Sequence, residues 1–172
     1  MTDQEVTTIN GAGTATSLLK EVAVQEFQAA LRGSLLRSGE AGYDDARAIW
    51  NGMIDKRPAL IACCTGDADV IASVNFARAN NLLLAVRAGG HNIAGNATCD
   101  GGLMINLSRM KGLRVDPAHR TVRAEPGLTW AEFDQETQAF GLATTGGQIS
   151  TTGIAGLTLG LSLIHISEPT RP

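Results

Sequence analysis

Two short apolar runs constrain the fold of this chain more than any other feature of its sequence. Residues 58–64 read PALIACC and residues 81–86 read NLLLAV. Each run is continuous, as in a strand that is buried on both faces. The residues between them have the spacing of a helix. The pattern therefore predicts a compact β-α-β unit with parallel strands and a right-handed crossover.

The helix of this unit is predicted over the segment TGDADVIASVNFARANN. Thr65 or Asp67 can cap its N-terminus, and two aspartates lie in the first turn, where the helix dipole favours negative charge. The apolar side chains predicted to face the sheet are Val70, Ile71, Val74 and Ala77.

The part of the chain before this unit is predicted to contain a mobile start and two helices. Residues 1–20 are rich in Thr and Gly and carry no strong periodicity, so we expect them to be mobile. Apolar residues at every fourth position, from Phe27 to Leu35, predict a helix over residues 22–36. Residues 37–51 then read as a loop that leads into a short helix.

The part after the unit begins with strands. Residues 102–110 read GLMINLSRM, which predicts a strand of alternating character. A hairpin follows, with strands near residues 112–115 and 120–124 around the turn DPAHR. His119 lies in that turn, where we expect a solvated side chain without a functional role.

The segment LTWAEFDQETQAFG predicts a last helix, with Thr129 as its N-cap and Gly141 as its C-cap. The 172 residues are enough for one domain with a hydrophobic core. A high glycine content and few aromatic residues are typical of a loop-rich α/β or α+β domain whose backbone approaches another group closely.

Charge and composition narrow the possible partners. The net charge is −3 and no block of like charge occurs, which gives no support for binding to nucleic acid or to an anionic membrane. The longest apolar stretch has 14 residues and is too short to span a bilayer. The N-terminus does not resemble a secretory signal, and the three cysteines lack metal-ligand spacing. We therefore expect a cytoplasmic protein without a metal site.

Two glycine-rich stretches are the candidate ligand-binding segments. The first, AVRAGGHNIAG, follows the second apolar run, and ligands in α/β sheets bind beyond the carboxyl ends of strands. It lacks the endings of a P-loop or a dinucleotide loop, so it is either another kind of anion cradle or a tight turn with a hydrogen-bonded histidine. The second, residues 142–160, alternates Gly with Thr and offers amides and hydroxyls with little bulk, which suits an extended polar ligand.

The motifs of these stretches resemble a known family. Residues 87–92 read RAGGHN, Gly95 follows, residues 100–102 read DGG, and residues 153–160 read GIAGLTLG. In this arrangement they resemble the FAD-linked oxidases of the berberine bridge enzyme type, which have a PCMH-type FAD-binding domain, and among them the 6-hydroxynicotine oxidase-like members. The resemblance covers about residues 40–160. It implies an α+β fold, a truncated PCMH-type FAD-binding domain, with FAD as the cofactor.

The resemblance also implies roles for particular residues. His91 is expected to be bonded covalently to the 8α-methyl group of the flavin. The pyrophosphate loop would consist of Gly89, Gly90, Asn92 and Gly95. Arg87 is either a phosphate partner or a structural strut. The residues expected along the ribityl chain and the ring edge are Thr151, Thr152, Gly153 and Gly156.

Many relatives carry a second covalent link through a cysteine, and Ile149 occupies the corresponding position here. Ile149 has no thiol, and Cys99 does not match that position, so the resemblance implies a single link through His91.

The last residues, LSLIHISEPTRP, do not continue the family pattern. Back-translated, they fit a transposase sequencing adaptor, so we expect residues 161–172 to be a non-native tail in which His165 has no function. The predicted division is an N-terminal extension with one helix over 1–40, a partial FAD-binding domain over 41–160, and this tail.

The resemblance implies that the full-length parent oxidises a small organic substrate with O2 as the acceptor. The substrate domain of the family is not part of this sequence, so no catalytic base is assigned and the chain alone is expected to be inactive. Two alternatives stay open at this point: a nucleotide- or phosphate-binding module without redox chemistry, and a non-functional fragment.

Overall fold

A four-stranded sheet lies at the centre of the structure, a computed structural model that describes residues 6–9 and 15–160. The elements, in chain order, are β1 (Val6–Ile9), β2 (Ala15–Leu19), α1 (Glu21–Ala30), β3 (Ser34–Arg37), α2 (Tyr43–Arg47), β4 (Leu60–Cys63), α3 (Asp67–Ala79), β5 (Leu84–Arg87), β6 (Leu103–Asn106), β7 (Leu113–Asp116), β8 (Thr121–Ala124), α4 (Trp130–Gln138) and a π-helical turn (Gly156–Gly160). This mixture of helices with both parallel and antiparallel strand pairs confirms the expected α+β class.

The strand order of the central sheet is β3-β4-β6-β5. Strands β4 and β5 both pair in parallel with β6, whereas β3 runs antiparallel along the outer edge of β4. The parallel β4-α3-β5 arrangement was predicted, but its two strands are separated by β6 and do not pair with each other.

The environment of two strands differs from the prediction. All four residues of β6 are buried, because the strand has a neighbour on each side and packed layers on both faces. The expected alternation for this strand is therefore wrong. In β5, predicted to be buried on both faces, Leu84 and Val86 are exposed and only Ala85 is buried.

Two hydrophobic clusters cover the faces of this sheet. On one face, α1 and α3 pack over Leu60, Ala62 and the other strand residues of that side, and Phe27 stacks on Phe76 with ring centroids 4.2 Å apart. On the other face, Tyr43 of α2 packs with Ile61 and Met104, among others. The Tyr43 hydroxyl donates a hydrogen bond of 2.6 Å to the Pro58 carbonyl.

Helix α1 ends at Ala30, so the helix predicted over 22–36 is too long. Leu35 belongs instead to β3, where it is buried and pairs with Ala62 of β4. The change of structure follows from Gly33: a Cβ atom there would lie 2.0 Å from the Cys63 carbonyl oxygen. This close approach of two backbones requires a glycine at the position where the chain enters β3.

The start of α3 also differs from the prediction. Its N-cap is Gly66, which makes no side-chain capping bond, so neither Thr65 nor Asp67 caps the helix. The buried carboxylate of Asp69 instead accepts hydrogen bonds from the backbone N–H groups of Thr65, Arg32 and Gly33 and from the Thr65 hydroxyl. Burial raises the pKa of the Asp69 carboxyl, but the hydrogen bonds from these donors together lower it by more. The pKa of Asp69 therefore lies below its usual range.

The face that α3 buries is rotated from the predicted stripe. Ala77 is buried as expected and Val70 is partly buried, whereas Ile71 and Val74 are exposed. Ser73 takes a buried position because its hydroxyl donates to the Asp69 carbonyl one turn earlier, at 2.7 Å.

The predicted hairpin forms as β7 and β8, and α4 packs against it through a third cluster of buried side chains. Thr129 is the N-cap of α4, as predicted, in a complete capping box with Glu132. The helix ends at Gln138 with Ala139 as its C-cap, so Gly141 lies in the following turn, with a φ of +65°. His119 is exposed in the hairpin turn, beside the Asp116 carboxylate.

The N-terminal region contains the paired strands β1 and β2 in the part that was expected to be mobile. Residues 11–13 and the predicted non-native tail, 161–172, lie outside the described residues. No helix among the described residues is long and apolar enough to cross a membrane.

Candidate cofactor site

The two glycine-rich stretches meet beside the carboxyl ends of the parallel strands. The first loop, residues 88–102, leaves the end of β5 at Arg87, and the second loop, residues 139–155, follows α4. They contact each other through two glycines: a Cβ on Gly89 would lie 2.9 Å from the Gly153 backbone nitrogen, and a Cβ on Gly153 would lie 2.9 Å from the Gly89 Cα. Neither position can hold a side chain while the loops keep this distance.

His91 belongs to the first loop, contacts the second loop through its ring and is partly exposed. Its Nε2 atom is 3.2 Å from the Thr151 carbonyl oxygen of the second loop. A carbonyl oxygen only accepts, so Nε2 carries the hydrogen in this contact, and the neutral ring has its lone pair on Nδ1. The Trp50 ring stacks on the imidazole, with ring centroids 5.2 Å apart.

The first loop adopts backbone conformations that favour glycine. Gly90 has a φ of +72° and Gly95 has a φ of +75°. Asn92 shapes the turn between them, since its carbonyl accepts from the Gly95 N–H and its side-chain oxygen accepts from the Asn96 N–H. Within the described part of the chain, the N–H groups of residues 89–91 donate no hydrogen bond, and backbone donors of this kind can bind an anion.

Arg87 lies directly beneath this loop. Its Nε atom would be 3.3 Å from a Cβ on Gly90, and one terminal nitrogen is 3.4 Å from the Asn106 side-chain oxygen. Among the described residues, the buried Nε has no hydrogen-bond partner and no carboxylate forms an ion pair with Arg87. Burial lowers the pKa of this guanidinium. A cation held in this way is stabilised by an anion bound above it.

The second loop rests on α4. The backbone N–H of Trp130 donates to the Thr152 carbonyl at 2.9 Å, and the backbone N–H of Ala131 donates to the Ser150 carbonyl at 3.0 Å. Thr151 is exposed, so its side chain is accessible on the surface of the loop. Thr152 is partly buried, and its carbonyl anchors the loop to α4.

Two glycines of this loop are required by packing. Cβ atoms on Gly146 and Gly147 would lie 2.3 Å and 2.6 Å from the buried Trp130 ring. By contrast, Gly156 lies in the π-helical turn with no neighbouring atom within 4 Å of a Cβ. The small residues predicted to surround a ligand therefore include some that accommodate a tryptophan.

The structure brings His91, Gly89, Thr151 and Gly153 together, as expected of one site. The side chain of Ile149 is 64% exposed on the second loop. Cys99 is buried in the core, and burial raises the pKa of its thiol to about 11, which agrees with a structural rather than a reactive cysteine. Sequence reasoning missed Trp50 and Asn51, which border the first loop from 40 residues earlier in the chain.

Residues 58–167, more than half of the chain, match the family described as an FAD binding domain. The chain belongs to this family. An FAD-linked oxidoreductase of Dictyostelium discoideum is 40% identical over 146 residues, which cover 84% of this chain and 32% of that protein. The FAD-binding family membership confirms the type of protein that the sequence motifs indicated.

Solved structures of FAD-binding relatives have the same fold. The crystal structure of 6-hydroxy-D-nicotine oxidase from Arthrobacter nicotinovorans superposes with a TM-score of 0.72 at 36% identity, over 74% of this chain and 28% of that one. Berberine bridge enzyme-like 1 of Physcomitrella patens superposes with a TM-score of 0.73 at 22% identity, over 79% and 30% of the two chains. The expected PCMH-type FAD-binding fold is thus confirmed, and the chain spans about a third of the length of these relatives.

FAD is the cofactor of this FAD-linked oxidoreductase family, and the two loops fit it. Among the described residues, the N–H groups of residues 89–91 have no acceptor and the Arg87 guanidinium has no carboxylate partner, which suits a diphosphate. The exposed Thr151 and the open space beside Gly156 suit an extended polar chain.

Proposed function

We propose that this chain forms the FAD-binding part of an oxidase in which His91 attaches the flavin covalently. The observation that carries this proposal is that His91 of the first loop contacts the second loop, with Nε2 on the Thr151 carbonyl and no hydrogen bond to Nδ1 from the described residues. A neutral imidazole with an available lone pair suits nucleophilic attachment.

In the proposed site, Gly89, Gly90, Asn92 and Gly95 hold the pyrophosphate. The N–H groups of residues 89–91 supply donors to the phosphate oxygens, and Gly95 and Asn92 keep the loop in its turn. Arg87 serves both as the support beneath Gly90 and as the positive charge that neutralises a phosphate.

The second loop would follow the rest of the cofactor. Thr151 and Thr152 offer one exposed and one partly buried hydroxyl, Gly156 leaves open space near them, and Gly153 allows the close contact with Gly89 of the first loop. We place these four residues along the ribityl chain and the edge of the ring.

Attachment would replace one C–H bond of the 8α-methyl group by a C–N bond to Nδ1 of His91, with the C–H proton and then the Nε2 proton released to solvent. The two electrons would be taken up by a two-electron acceptor, for which we propose O2, reduced to hydrogen peroxide. When bound, the FAD ring supplies the hydride-accepting chemistry, while the protein contributes position and charge.

For the longer protein we propose oxidation of a small organic substrate, by hydride removal from a carbon next to nitrogen or oxygen, with O2 as the acceptor. The similarity to 6-hydroxy-D-nicotine oxidase supports this substrate class. No described residue is assigned as the catalytic base, and we expect the chain alone not to turn over substrate.

The attachment can be tested by expressing the chain with FAD, precipitating it in acid and mapping flavin-bearing peptides. We expect acid-stable flavin on the peptide that contains His91, none in His91→Ala, and an unchanged yield in His119→Ala, the matched control in an exposed turn. Acid-stable flavin in His91→Ala, or only extractable flavin in the wild type, would overturn the proposal.

The same peptide map tests the single link. Because Ile149 cannot form a thioether, we expect no flavin on the peptide that contains residues 142–155. Flavin on that peptide would show a second attachment point.

A further inference from the structure

Trp50 is exposed, yet it has a defined place beside the candidate attachment residue. Its side chain is 74% exposed, in the connection between α2 and β4. The indole stacks on the His91 imidazole with an angle of 27° between the rings. Burial of apolar surface explains little of this placement, because most of the indole remains in contact with water.

The backbone around Trp50 is fastened to both sides of His91. The backbone N–H of Trp50 donates to the Gly90 carbonyl at 3.0 Å, and the Asn51 side-chain amide donates to the Ile93 carbonyl at 3.0 Å. The Asn51 side-chain oxygen in turn accepts from the Met53 N–H. The indole is thus carried by a segment whose position is tied to the loop that carries the histidine.

The remaining contacts of the imidazole lie along one edge. Nε2 donates to the Thr151 carbonyl, and a Cβ on Gly89 would be 3.4 Å from Cδ2 of the ring. Within residues 15–160, no hydrogen bond to Nδ1 is formed. The ring is therefore held by its face and by its Cδ2–Nε2 edge, while Nδ1 lies on the opposite edge.

We propose that Trp50 is a positioning residue that holds the His91 imidazole in the Nε2–H tautomer, with Nδ1 presented for covalent attachment of the flavin. Without the indole, a partly exposed histidine can rotate away from Thr151, and either ring nitrogen can then carry the hydrogen. This inference rests on the proposed function of His91, and Trp50 acts only through that residue.

The tautomer can be measured without flavin, by long-range ¹H–¹⁵N correlation of the histidine rings in the full chain at a pH where they are neutral. We expect the wild type to show an unprotonated Nδ1 and a protonated Nε2 at His91. In Trp50→Ala, both nitrogen shifts should move towards averaged values, and Trp50→Phe should restore the wild-type pattern because its ring can also stack.

Met53→Ala is the matched control, since Met53 is a neighbouring apolar residue that is 92% exposed. It should leave the His91 signals unchanged. Unchanged His91 signals in Trp50→Ala would overturn the positioning role, as would an equal change in Met53→Ala.

The second arm measures the initial rate of acid-stable flavin incorporation. We expect about a tenfold loss in Trp50→Ala, since small misplacement of a reacting group costs large factors in rate, and near wild-type rates in Trp50→Phe and Met53→Ala. A wild-type rate in Trp50→Ala would overturn the role in attachment, even if the tautomer had changed.

The two proposals fail in different ways. If the wild type forms no acid-stable flavin, the proposed function of His91 is wrong, and the proposed role of Trp50 in attachment is then wrong as well. If the wild type incorporates flavin, His91→Ala does not, and Trp50→Ala behaves as the wild type in both measurements, only the inference about Trp50 is wrong.

Discussion

The two loops of the candidate site have similar glycine-rich sequences but need glycine for different reasons. In the first loop, Gly90 and Gly95 have positive φ angles, a backbone conformation that is strained for residues with a Cβ atom. In the second loop, Gly146 and Gly147 are fixed by space, because a Cβ would overlap the Trp130 ring. A glycine-rich composition therefore identifies where the backbone is constrained, but the neighbours decide whether a ligand or a side chain causes the constraint.

The two tryptophans also differ in burial and in how they support the two loops. Trp130 is buried beneath the second loop and packs edge-on against Phe133 with ring centroids 5.3 Å apart. Trp50 lies on the surface beside the first loop and stacks on His91. The second loop is thus supported by a hydrophobic layer, whereas the first is supported by backbone hydrogen bonds and by Arg87 beneath it.

The largest effect on stability is expected from Gly146→Ala. Its Cβ would lie 2.3 Å from the Trp130 ring, and overpacking of this kind costs about 1–3 kcal/mol of unfolding free energy. Urea denaturation measures the loss. In the double variant with Trp130→Leu, the combined loss should be smaller than the sum of the two single losses, because the smaller side chain removes the overlap. Additive losses would mean that Trp130 is not the reason for glycine here.

Gly90→Ala should have the next largest effect. An L-residue with a φ near +72° is strained by about 1–2 kcal/mol, so the unfolding free energy should fall by that amount. The same denaturation experiment measures it. Truncating Arg87 should not relieve the loss, because the strain lies in the backbone; relief would show that contact with Arg87 is the cause.

Gly156→Ala is the matched substitution with the smallest expected effect. A Cβ there meets no atom within 4 Å and the φ is not positive, so the unfolding free energy should change by less than about 0.5 kcal/mol. A loss as large as that of Gly90→Ala would remove the distinction between constrained and unconstrained glycines.

Several elements could be predicted because their causes are local in sequence. The apolar runs predicted β4 and β5, and the Thr129 capping signal predicted α4. The end of α1 could not be predicted in this way, because the Asp69 carboxylate and the Cys63 carbonyl that hold the next residues lie 30 or more positions later. The burial of β6 likewise depends on which strands become its neighbours.

The candidate site likewise combines features that are local in sequence with features that depend on distant residues. The glycines and His91 form a compact motif, and their convergence with the second loop agrees with the family resemblance. Trp50 was missed because it contacts His91 across 41 residues and belongs to no periodic pattern. The packing role of Gly146 was missed because it depends on the orientation of a helix that the sequence alone does not give.

The position of β6 between β4 and β5 links assembly of the sheet to the cofactor loop. Both flanking strands leave the ribosome before β6, and although β4 can already pair with β3, neither can pair with β6 until the loop over residues 88–102 has closed. Closing that loop costs conformational entropy, which a ligand that orders its residues would offset. The segment proposed to hold the FAD pyrophosphate is therefore also the connection that must be ordered before β6 can pair between β4 and β5.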